Sequence, residues 1–360
     1  MTNQKGGVGK TTTVANLGAA LSQRGVRVCL VDLDPQTHLT MHFGVDPAGL
    51  ACSMYDVLTG DMPLSRAAMQ IDTHLTVLPA VIDLAAAEVE LAGAVGREQI
   101  LADKIAAEAP PFDLLMFDCP PSLSLLTLNA LAAVKEVLIP LQPHFLALQG
   151  LGKLLETVSL VQRRINPDLR VSGVIFCLYE TATRLAAEII QDVEAFFASP
   201  ADAKPAWSAT RIYATRIRRN IKLAECPSYG TTIHKYDPTS HGAEDYSALA
   251  EEFIAAWPGA PVEARPAVAG PDEPDGGPSP EAAPPAEAPA PVRIDEAPEA
   301  VEAPAPAEPT PAQPVTTPAA EPDDPPIDAA PPAPETAAPE TAPADTAPPE
   351  PPAAPPAVTP

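Results

Sequence analysis

The feature that most constrains this chain is a glycine-rich run close to its start, KGGVGKTT at positions 5–12. Three glycines let backbone N–H groups converge on phosphate oxygens, and the following lysine and threonine reach terminal phosphates and ligate Mg²⁺ in such loops. Apolar residues at helical spacing come next and end at Gly25, which predicts a helix directly after the loop. The N-terminus of this helix adds the positive end of the helix dipole to the loop N–H groups. The sequence therefore predicts a phosphate-binding site formed by Gly6, Gly7, Val8, Gly9, Lys10, Thr11 and Thr12.

The first position of this loop is Lys5, where the usual P-loop has glycine. This is the deviant form of the Walker A loop. A long cation at that position points away from the helix of its own chain, so we expect its target to be a phosphate held by a second copy. Lys5 would then act as an arginine finger does, and hydrolysis would depend on dimerisation.

A P-loop normally follows a buried parallel strand, and only Met1, Thr2, Asn3 and Gln4 come before Lys5 here. Four residues, two of them amides, are too few for a central strand. Our expectation is that the start site has been assigned several residues downstream of the true one. Sequencing the N-terminus of the native protein would test this.

Four blocks of sequence carry a resemblance to a known family: residues 3–13 (NQKGGVGKTTT), 28–36 (VCLVDLDPQ), 114–121 (LLMFDCPP) and 219–230 (RNIKLAECPSYG). Together they resemble the ParA/Soj chromosome- and plasmid-partitioning ATPases, within the wider group that includes MinD. The likeness extends from residue 3 to about residue 256.

Asp32 and Asp34 follow one predicted strand, where alternation puts both on the same side as the chain leaves the sheet. One carboxylate can then engage the Mg²⁺ shell while the other faces the γ-phosphate. The resemblance implies that Asp34 positions the attacking water and also belongs to the metal site. It further implies that Asp118 is the Walker B acid that holds Mg²⁺ and that Asn220 contacts the nucleotide. ATP and Mg²⁺ are the expected cofactors, and Lys5, Lys10 and Asp34 the expected catalytic residues.

The pattern of short apolar runs between helical segments predicts an α/β fold with a doubly wound, mostly parallel sheet and helices on both faces. The predicted strands are 26–31, 75–79, 113–118, 136–141, 171–178, 210–217 and 231–236. The predicted helices are 11–24, 83–91, 97–108, 122–133, 150–165, 184–197 and 242–256. Ligands of such sheets bind beyond the strand C-termini, where the P-loop, Asp34 and Asp118 all fall.

A basic cluster comprises Arg211, Arg216, Arg218, Arg219 and Lys222, and Arg184 precedes a predicted helix. Clustering of this kind favours contact with a phosphate backbone. The resemblance implies DNA binding without sequence preference, with Arg184, Arg216, Arg218, Arg219 and Lys222 as candidate contacts. The family usually has Pro at the position of Arg218 and Asn at that of Arg184, so the individual contacts stay open.

Composition divides the chain into a predicted ATPase domain, residues 1–257, and a tail, residues 258–360. The tail holds 33 of the 48 prolines, 19 acidic residues, two arginines and no aromatic residue, so it carries −17 of the total formal charge of −25. Such a segment cannot bury a core, and we predict that it is disordered. Five scattered cysteines without CxxC spacing indicate reduced thiols, and the sequence shows no secretory signal and no membrane-spanning run.

Two functions of different classes remain open. In the first, the ATP-bound homodimer binds non-specific DNA and is stimulated by a ParB-type centromere-binding partner, in the cytoplasm and on the nucleoid. In the second, a MinD-like or orphan ATPase positions a membrane-associated or protein cargo. A membrane switch needs a terminal amphipathic helix with cations, whereas this tail is rich in proline and almost free of cations.

Overall fold

The computed structural model describes residues 1–145, 147–180, 184–198, 205–257 and 259–261. The helices in these residues are α1 (Lys10–Ser22), α2 (His38–His42), α3 (Met54–Thr59), α4 (Leu64–Ala67), α5 (Leu84–Glu90), α6 (Ile100–Glu108), α7 (Leu125–Ala133), α8 (Ala147–Arg164), α9 (Arg184–Ala198), α10 (Ile221–Glu225), α11 (Ile233–Tyr236) and α12 (His241–Ala256). The strands are β1 (Val28–Asp32), β2 (Met69–Asp72), β3 (Leu75–Leu78), β4 (Leu114–Asp118), β5 (Glu136–Leu141), β6 (Arg170–Phe176) and β7 (Arg211–Ile212).

These strands form a four-stranded sheet of order β2-β3-β1-β4 and a three-stranded sheet of order β5-β6-β7. Every pairing is parallel except that of β2 with β3, which is an antiparallel pair at the sheet edge. The predicted mostly parallel α/β fold is confirmed.

Helices cover both faces of β1, and its alternating side chains show this most clearly. Val28 and Leu30 pack in one apolar cluster with α1 and α12, whereas Cys29 and Val31 pack in a second cluster with α3 to α7. Because both faces are buried, the strand is apolar from Val28 to Val31 instead of alternating with polar residues.

Helix α1 lies very close to β1. A Cβ atom placed on Gly18 would be 2.7 Å from Cδ2 of Leu30, so only glycine allows this approach without rearrangement. The Thr13 hydroxyl also lies 3.1 Å from the Tyr246 hydroxyl of α12. These contacts hold α1, which follows the glycine-rich loop, against β1 and α12.

Residues 1–3 lie between β4 and β5. The Met1 amine donates to the carbonyl of Phe117, the Thr2 N–H donates to the Leu138 carbonyl at 3.3 Å, and the Asn3 side-chain amide donates to Pro140 at 2.8 Å. The segment before the P-loop thus bonds to both sheets.

Two of the predicted strands differ from the structure. The predicted strand 231–236 is the short helix α11, which docks on α1 through a hydrogen bond from the Ile233 N–H to the Asn16 side chain at 2.8 Å. The predicted strand 210–217 is shortened to β7. The Tyr213 and Ile217 N–H groups still bond Val174 and Phe176 of β6, but the Ala214 and Thr215 N–H groups bond the Glu252 carboxylate of α12.

The predicted disordered tail, residues 258–360, lies outside the described residues except for residues 259–261. Within the part of the chain that the structure describes, no helix is both long enough and apolar enough to cross a bilayer.

Candidate functional site

The glycine-rich loop has the open backbone of an anion cradle. Gly7 has φ +72° and Gly9, the residue that caps α1, has φ +88°, which is the left-handed region that favours glycine. A Cβ on Gly6 or Gly7 would meet no atom within 4 Å, so the space in front of the loop is free. Val8 is buried and anchors the loop to the core. The N-terminus of α1 therefore faces open space in front of residues 5–9.

Lys10 bends back over this loop. Its side-chain amine donates to the Lys5 carbonyl at 3.4 Å, and the residue is only 8% exposed. Burial lowers the pKa of the Lys10 amine, although Asp118 and Asp34 lie near enough to oppose that shift. A partly desolvated cation beside the loop amides is arranged to bind an anion.

Thr11 and Asp118 form the polar centre of the site. The Thr11 hydroxyl donates to Oδ2 of Asp118 at 2.6 Å, and Asp118 is fully buried at the C-terminal end of β4. Burial raises the pKa of Asp118 to about 6. Among the described residues its second oxygen, Oδ1, has no hydrogen-bond partner. A hydroxyl and a buried carboxylate with a free oxygen suit a hard divalent cation such as Mg²⁺.

Asp32 has a structural role instead of the expected role at the metal or the phosphate. The sequence suggested that Asp32 and Asp34 share the metal and the phosphate, but Asp32 accepts hydrogen bonds from the Thr40 N–H at 2.9 Å, the Thr40 hydroxyl at 2.7 Å and the Asp34 N–H at 3.1 Å. Burial, reinforced by Asp118, raises its pKa to about 7. Asp32 thus shapes the loop that carries Asp34, which is a correction to the sequence analysis.

Asp34 lies in the turn that follows β1 and is 7% exposed. Its Oδ1 accepts a hydrogen bond from the Gln36 N–H at 3.0 Å, which orients the carboxylate. β1 and β4 are adjacent and parallel, so Asp34 and Asp118 emerge from the same edge of the sheet.

Lys5 is exposed, and its amine contacts Nε2 of His144. Burial, followed by the charge of Lys5, lowers the pKa of His144. Sequence reasoning missed His144, although its position just beyond β5, at the sheet edge where the P-loop lies, was a signal that could have identified it.

Asn220 caps α10. Its side-chain oxygen accepts a hydrogen bond from the Lys222 N–H at 2.8 Å, which accounts for the residue as an N-cap. Its predicted contact with a nucleotide stays a prediction.

The centre of the basic cluster is largely neutralised by carboxylates. Arg218 donates to Asp245 at 2.6 Å and to Glu244 at 3.0 Å, and the Asp245 side chain is only 9% exposed. Arg219 pairs with Glu180 at 3.0 Å. Arg218 therefore stabilises the contact between its own loop and α12.

The other candidate cations differ in their surroundings. Lys222 pairs with Glu225 at 2.9 Å. Arg216 stacks on the Tyr179 ring, with its guanidinium carbon 5.1 Å from the ring centroid. Arg184 is exposed at the start of α9, and within the described residues neither Arg216 nor Arg184 has a carboxylate partner.

Comparison with known proteins identifies relatives over most of the chain. Residues 1–171 match a family model described as an AAA domain. The chain is 43% identical over 256 residues to the sporulation initiation inhibitor protein Soj of Bacillus subtilis, which covers 71% of this chain and 97% of that protein. It is 39% identical over 255 residues to the chromosome partitioning protein ParA of Myxococcus xanthus, covering 71% and 86%. The chain belongs to the Soj/ParA family of chromosome-partitioning ATPases. The resemblance seen in the sequence is confirmed.

Solved structures are similar to this Soj/ParA member over a similar share of the chain. A structure titled cobyrinic acid a,c-diamide synthase of Mycobacterium smegmatis, with bound ATP analogue and magnesium, is 41% identical, with a TM-score of 0.58 and coverage of 71% of this chain and 93% of that one. The septum site-determining protein MinD of Pyrococcus horikoshii, complexed with Mg-ADP, is 25% identical, with a TM-score of 0.55 and coverage of 70% and 93%.

Proposed function

We propose that this protein is a Mg²⁺-dependent ATPase whose nucleotide state controls dimerisation and DNA binding during partitioning. The observation that carries the proposal is the meeting of Lys10, Thr11 and Asp118 at the open N-terminus of α1. The ATP analogue and the Mg-ADP bound by the two structural neighbours support the choice of ligand.

The chain's own groups can bind a triphosphate without large rearrangement. The loop amides and the α1 dipole would hold the phosphate oxygens, and Lys10 would neutralise the terminal ones. The Thr11 hydroxyl, with Asp118 behind it and Asp34 nearby, would hold Mg²⁺. When bound, the cation neutralises charge on the β- and γ-phosphate oxygens.

We assign Asp34 the positioning of the attacking water. Its carboxylate is fixed by the Gln36 N–H, and the loop beneath it is fixed by Asp32. A carboxylate fixed just beyond the C-terminal end of β1 can orient a water molecule. In phosphoryl transfer, positioning of this kind is a main part of catalysis.

Lys5 is assigned to the active site of a second copy. Its side chain is exposed and turned toward His144, and the adjacent Phe145 is 79% exposed. An exposed cation and an exposed aromatic side chain at the same edge of the sheet are suited to an interface, which we propose forms when nucleotide is bound. A symmetric dimer would place each Lys5 against the phosphates of its partner.

DNA binding is assigned primarily to Arg184 and Arg216, with Arg219 and Lys222 as further contacts. The first two have no described carboxylate partner, whereas Arg218 is held by α12. A ParB-type protein is the proposed stimulator, supported by 38–43% identity to Soj and ParA proteins. The MinD-type alternative receives less support, since its neighbour is 25% identical.

The test compares Lys10→Ala with Asp34→Ala. Lys10→Ala removes the positive charge that binds the phosphates of ATP before hydrolysis. It should therefore abolish ATP binding, measured by titration calorimetry. Asp34→Ala should bind ATP but stop hydrolysis and accumulate dimer, measured by light scattering. Lys135→Ala and Asp168→Ala, both at exposed positions just ahead of β5 and β6 and so at the opposite edge of the sheet, are the matched controls. Equal ATP affinity for Lys10→Ala and the parent would refute the site.

A second measurement is the dependence of DNA binding on the bound nucleotide. Fluorescence anisotropy with a duplex of arbitrary sequence should show binding with ATP and little with ADP. Retention of that binding in Lys10→Ala would contradict nucleotide control.

A further inference from the structure

Lys5 is fixed at its backbone, whereas its side chain extends from the glycine-rich loop. The Lys5 N–H donates to the Asn3 side-chain oxygen at 3.0 Å, and the Asn3 side-chain amide donates to the Pro140 carbonyl of β5 at 2.8 Å. The Lys5 carbonyl accepts a hydrogen bond from the Lys10 amine at 3.4 Å. A flexible four-carbon side chain therefore starts from a fixed base, and the position of its ammonium depends on what the ammonium contacts.

The group in contact with that ammonium is His144, in the loop between β5 and α8. The Lys5 amine contacts Nε2 of the imidazole, which is half-buried, while Lys5 itself is exposed. The His144 carbonyl accepts a hydrogen bond from the Ala147 N–H, the first of α8, at 2.8 Å. His144 thus presents its ring nitrogen from a backbone that is tied to a helix.

The surroundings of His144 keep its imidazole neutral. Burial, followed by the charge of Lys5, lowers the pKa of His144, and Lys5 is the charged side chain that acts on it among the described residues. The positive end of the α8 dipole also lies beside it. A neutral imidazole has one acceptor nitrogen, whereas an imidazolium can only donate. Neutral His144 can therefore accept a hydrogen bond from the Lys5 ammonium at Nε2, with its own proton at Nδ1.

The direction of this contact separates Lys5 from the phosphate site of its own chain. Residues 1–3 lie between β4 and β5, so the loop that follows them has Asp118 of β4 on one side and His144 on the other. Lys5 turns to the side of His144, whereas Lys10 lies close enough to Asp118 to experience its charge. An ammonium has three N–H donors, and His144 uses one of them. Two remain for a phosphate that approaches from outside the chain.

We propose that His144 is a positioning residue for Lys5. Neutral His144 holds the Lys5 ammonium on the outer side of the loop, where the phosphates of a second copy can reach it, and protonated His144 repels the ammonium. ATP hydrolysis by the dimer thereby requires a neutral imidazole at this position. His144 acts only through Lys5, and this role rests on the proposed function because that function assigns Lys5 to the active site of the partner.

The contact itself is tested by NMR on the full chain without nucleotide. The chain has six histidines, and the imidazole signal that disappears in His144→Gln is that of His144. The pKa of His144 should rise in Lys5→Ala, because the neighbouring positive charge is removed. It should keep its parent value in Lys135→Ala, which removes an exposed cation just ahead of β5. An unchanged pKa of His144 in Lys5→Ala would overturn the proposal.

The positioning role is tested by the pH profile of the ATPase rate. His144→Gln keeps an uncharged acceptor at every pH, whereas His144→Leu removes the acceptor. At pH 8, His144→Gln should hydrolyse ATP at close to the parent rate, and His144→Leu should have a kcat lower by on the order of tenfold with its KM for ATP nearly unchanged. A parent kcat in His144→Leu would contradict the role.

Between pH 8 and pH 5 the parent should lose rate relative to His144→Gln. The acceptor of the parent is protonated as the pH falls through the pKa of His144, whereas the glutamine carbonyl is not. The ratio of the two rates cancels the titration of Asp118 and of the other groups that both proteins share. A ratio that stays constant over this range would overturn the proposal.

Two comparisons separate this role from the proposed function. A parent ATPase rate in Lys5→Ala would refute the proposed function, and this role with it. If Lys5→Ala is inactive while His144→Leu keeps the parent rate and pH profile, the proposed function stands and the role of His144 is wrong. In Lys5→Ala, the added His144→Leu change should cause no further loss of rate, and an additional loss would contradict action through Lys5 alone.

Discussion

Thr11→Val tests the polar centre of the site because it removes one hydroxyl and keeps the shape of the side chain. In the parent protein that hydroxyl donates to Asp118 at 2.6 Å, and Asp118 is fully buried with its other oxygen unpartnered among the described residues. The substitution therefore leaves a buried carboxylate without its side-chain donor.

The expected loss of stability depends on pH. Asp118 has a folded-state pKa of about 6, raised by burial from 3.8, so its ionised form destabilises the folded state above that pH and the Thr11 hydrogen bond offsets part of this effect. Hydrogen bonds to charged groups contribute about 1.5–3 kcal/mol. The loss of unfolding free energy in Thr11→Val should be of that size at pH 8, where Asp118 is ionised, and should fall to about 1 kcal/mol or less at pH 5, where Asp118 is protonated.

Urea denaturation at both pH values, without nucleotide or Mg²⁺, measures this difference. Thr11→Ser keeps the hydroxyl and serves as control, with a loss that does not change between the two pH values. In titrations with ATP, Thr11→Val should also lose most of the affinity gained from Mg²⁺, whereas Thr11→Ser should keep it. Equal destabilisation at pH 5 and pH 8 would refute the assignment of Asp118 as a buried acceptor held by Thr11.

Three further outcomes are expected. Arg218→Ala should lower the unfolding free energy by about 1–3 kcal/mol in chemical denaturation, because the nearly buried Asp245 keeps the Arg218 N–H but loses the guanidinium, and a change below about 0.5 kcal/mol would contradict the structural role. Arg216→Ala should leave stability almost unchanged but weaken DNA binding and flatten the slope of log affinity against log salt by about one, and an unchanged slope would remove Arg216 from the DNA contacts. Truncation after Trp257 removes −17 of charge and should tighten DNA binding at low salt, with a difference that fades near physiological salt as the Debye length falls to about 8 Å, while ATP hydrolysis is unchanged. Equal DNA affinity of the shortened and full chains at low salt would exclude electrostatic competition by the tail.

The sequence was sufficient to predict those parts of the site that depend only on residues close together along the chain. A glycine run directly ahead of an apolar helix leaves few alternatives for residues 5–12, and an apolar strand that ends in aspartate predicts that Asp118 lies at the sheet edge. The position of that edge follows from the parallel α/β pattern, so the convergence of Lys10, Thr11 and Asp118 could be predicted before the structure.

The parts that sequence could not supply depend on hydrogen-bond partners outside the motif that carries each residue. Asp32 is held by Thr40, eight residues further along, and Arg218 is held by Asp245, which is 27 residues away. Neither pairing has a local signal, so both residues were interpreted from their charge alone. The helix over Ile233–Tyr236 was missed for the same reason, because its docking on Asn16 of α1, 217 residues away, outweighs the β-branched residues that favour a strand.

The central claim is that each active site of the dimer uses Asp34 of one protomer and Lys5 of the other. Neither Lys5→Ala nor Asp34→Ala alone should hydrolyse ATP at the parent rate, so the decisive measurement is the ATPase rate of their equimolar mixture. If Lys5 acts in trans, the mixed dimer contains one complete site, and random assortment predicts about a quarter of the parent activity. If the mixture stays as inactive as its two components while mixed dimers are present, Lys5 acts within its own chain and the account is wrong.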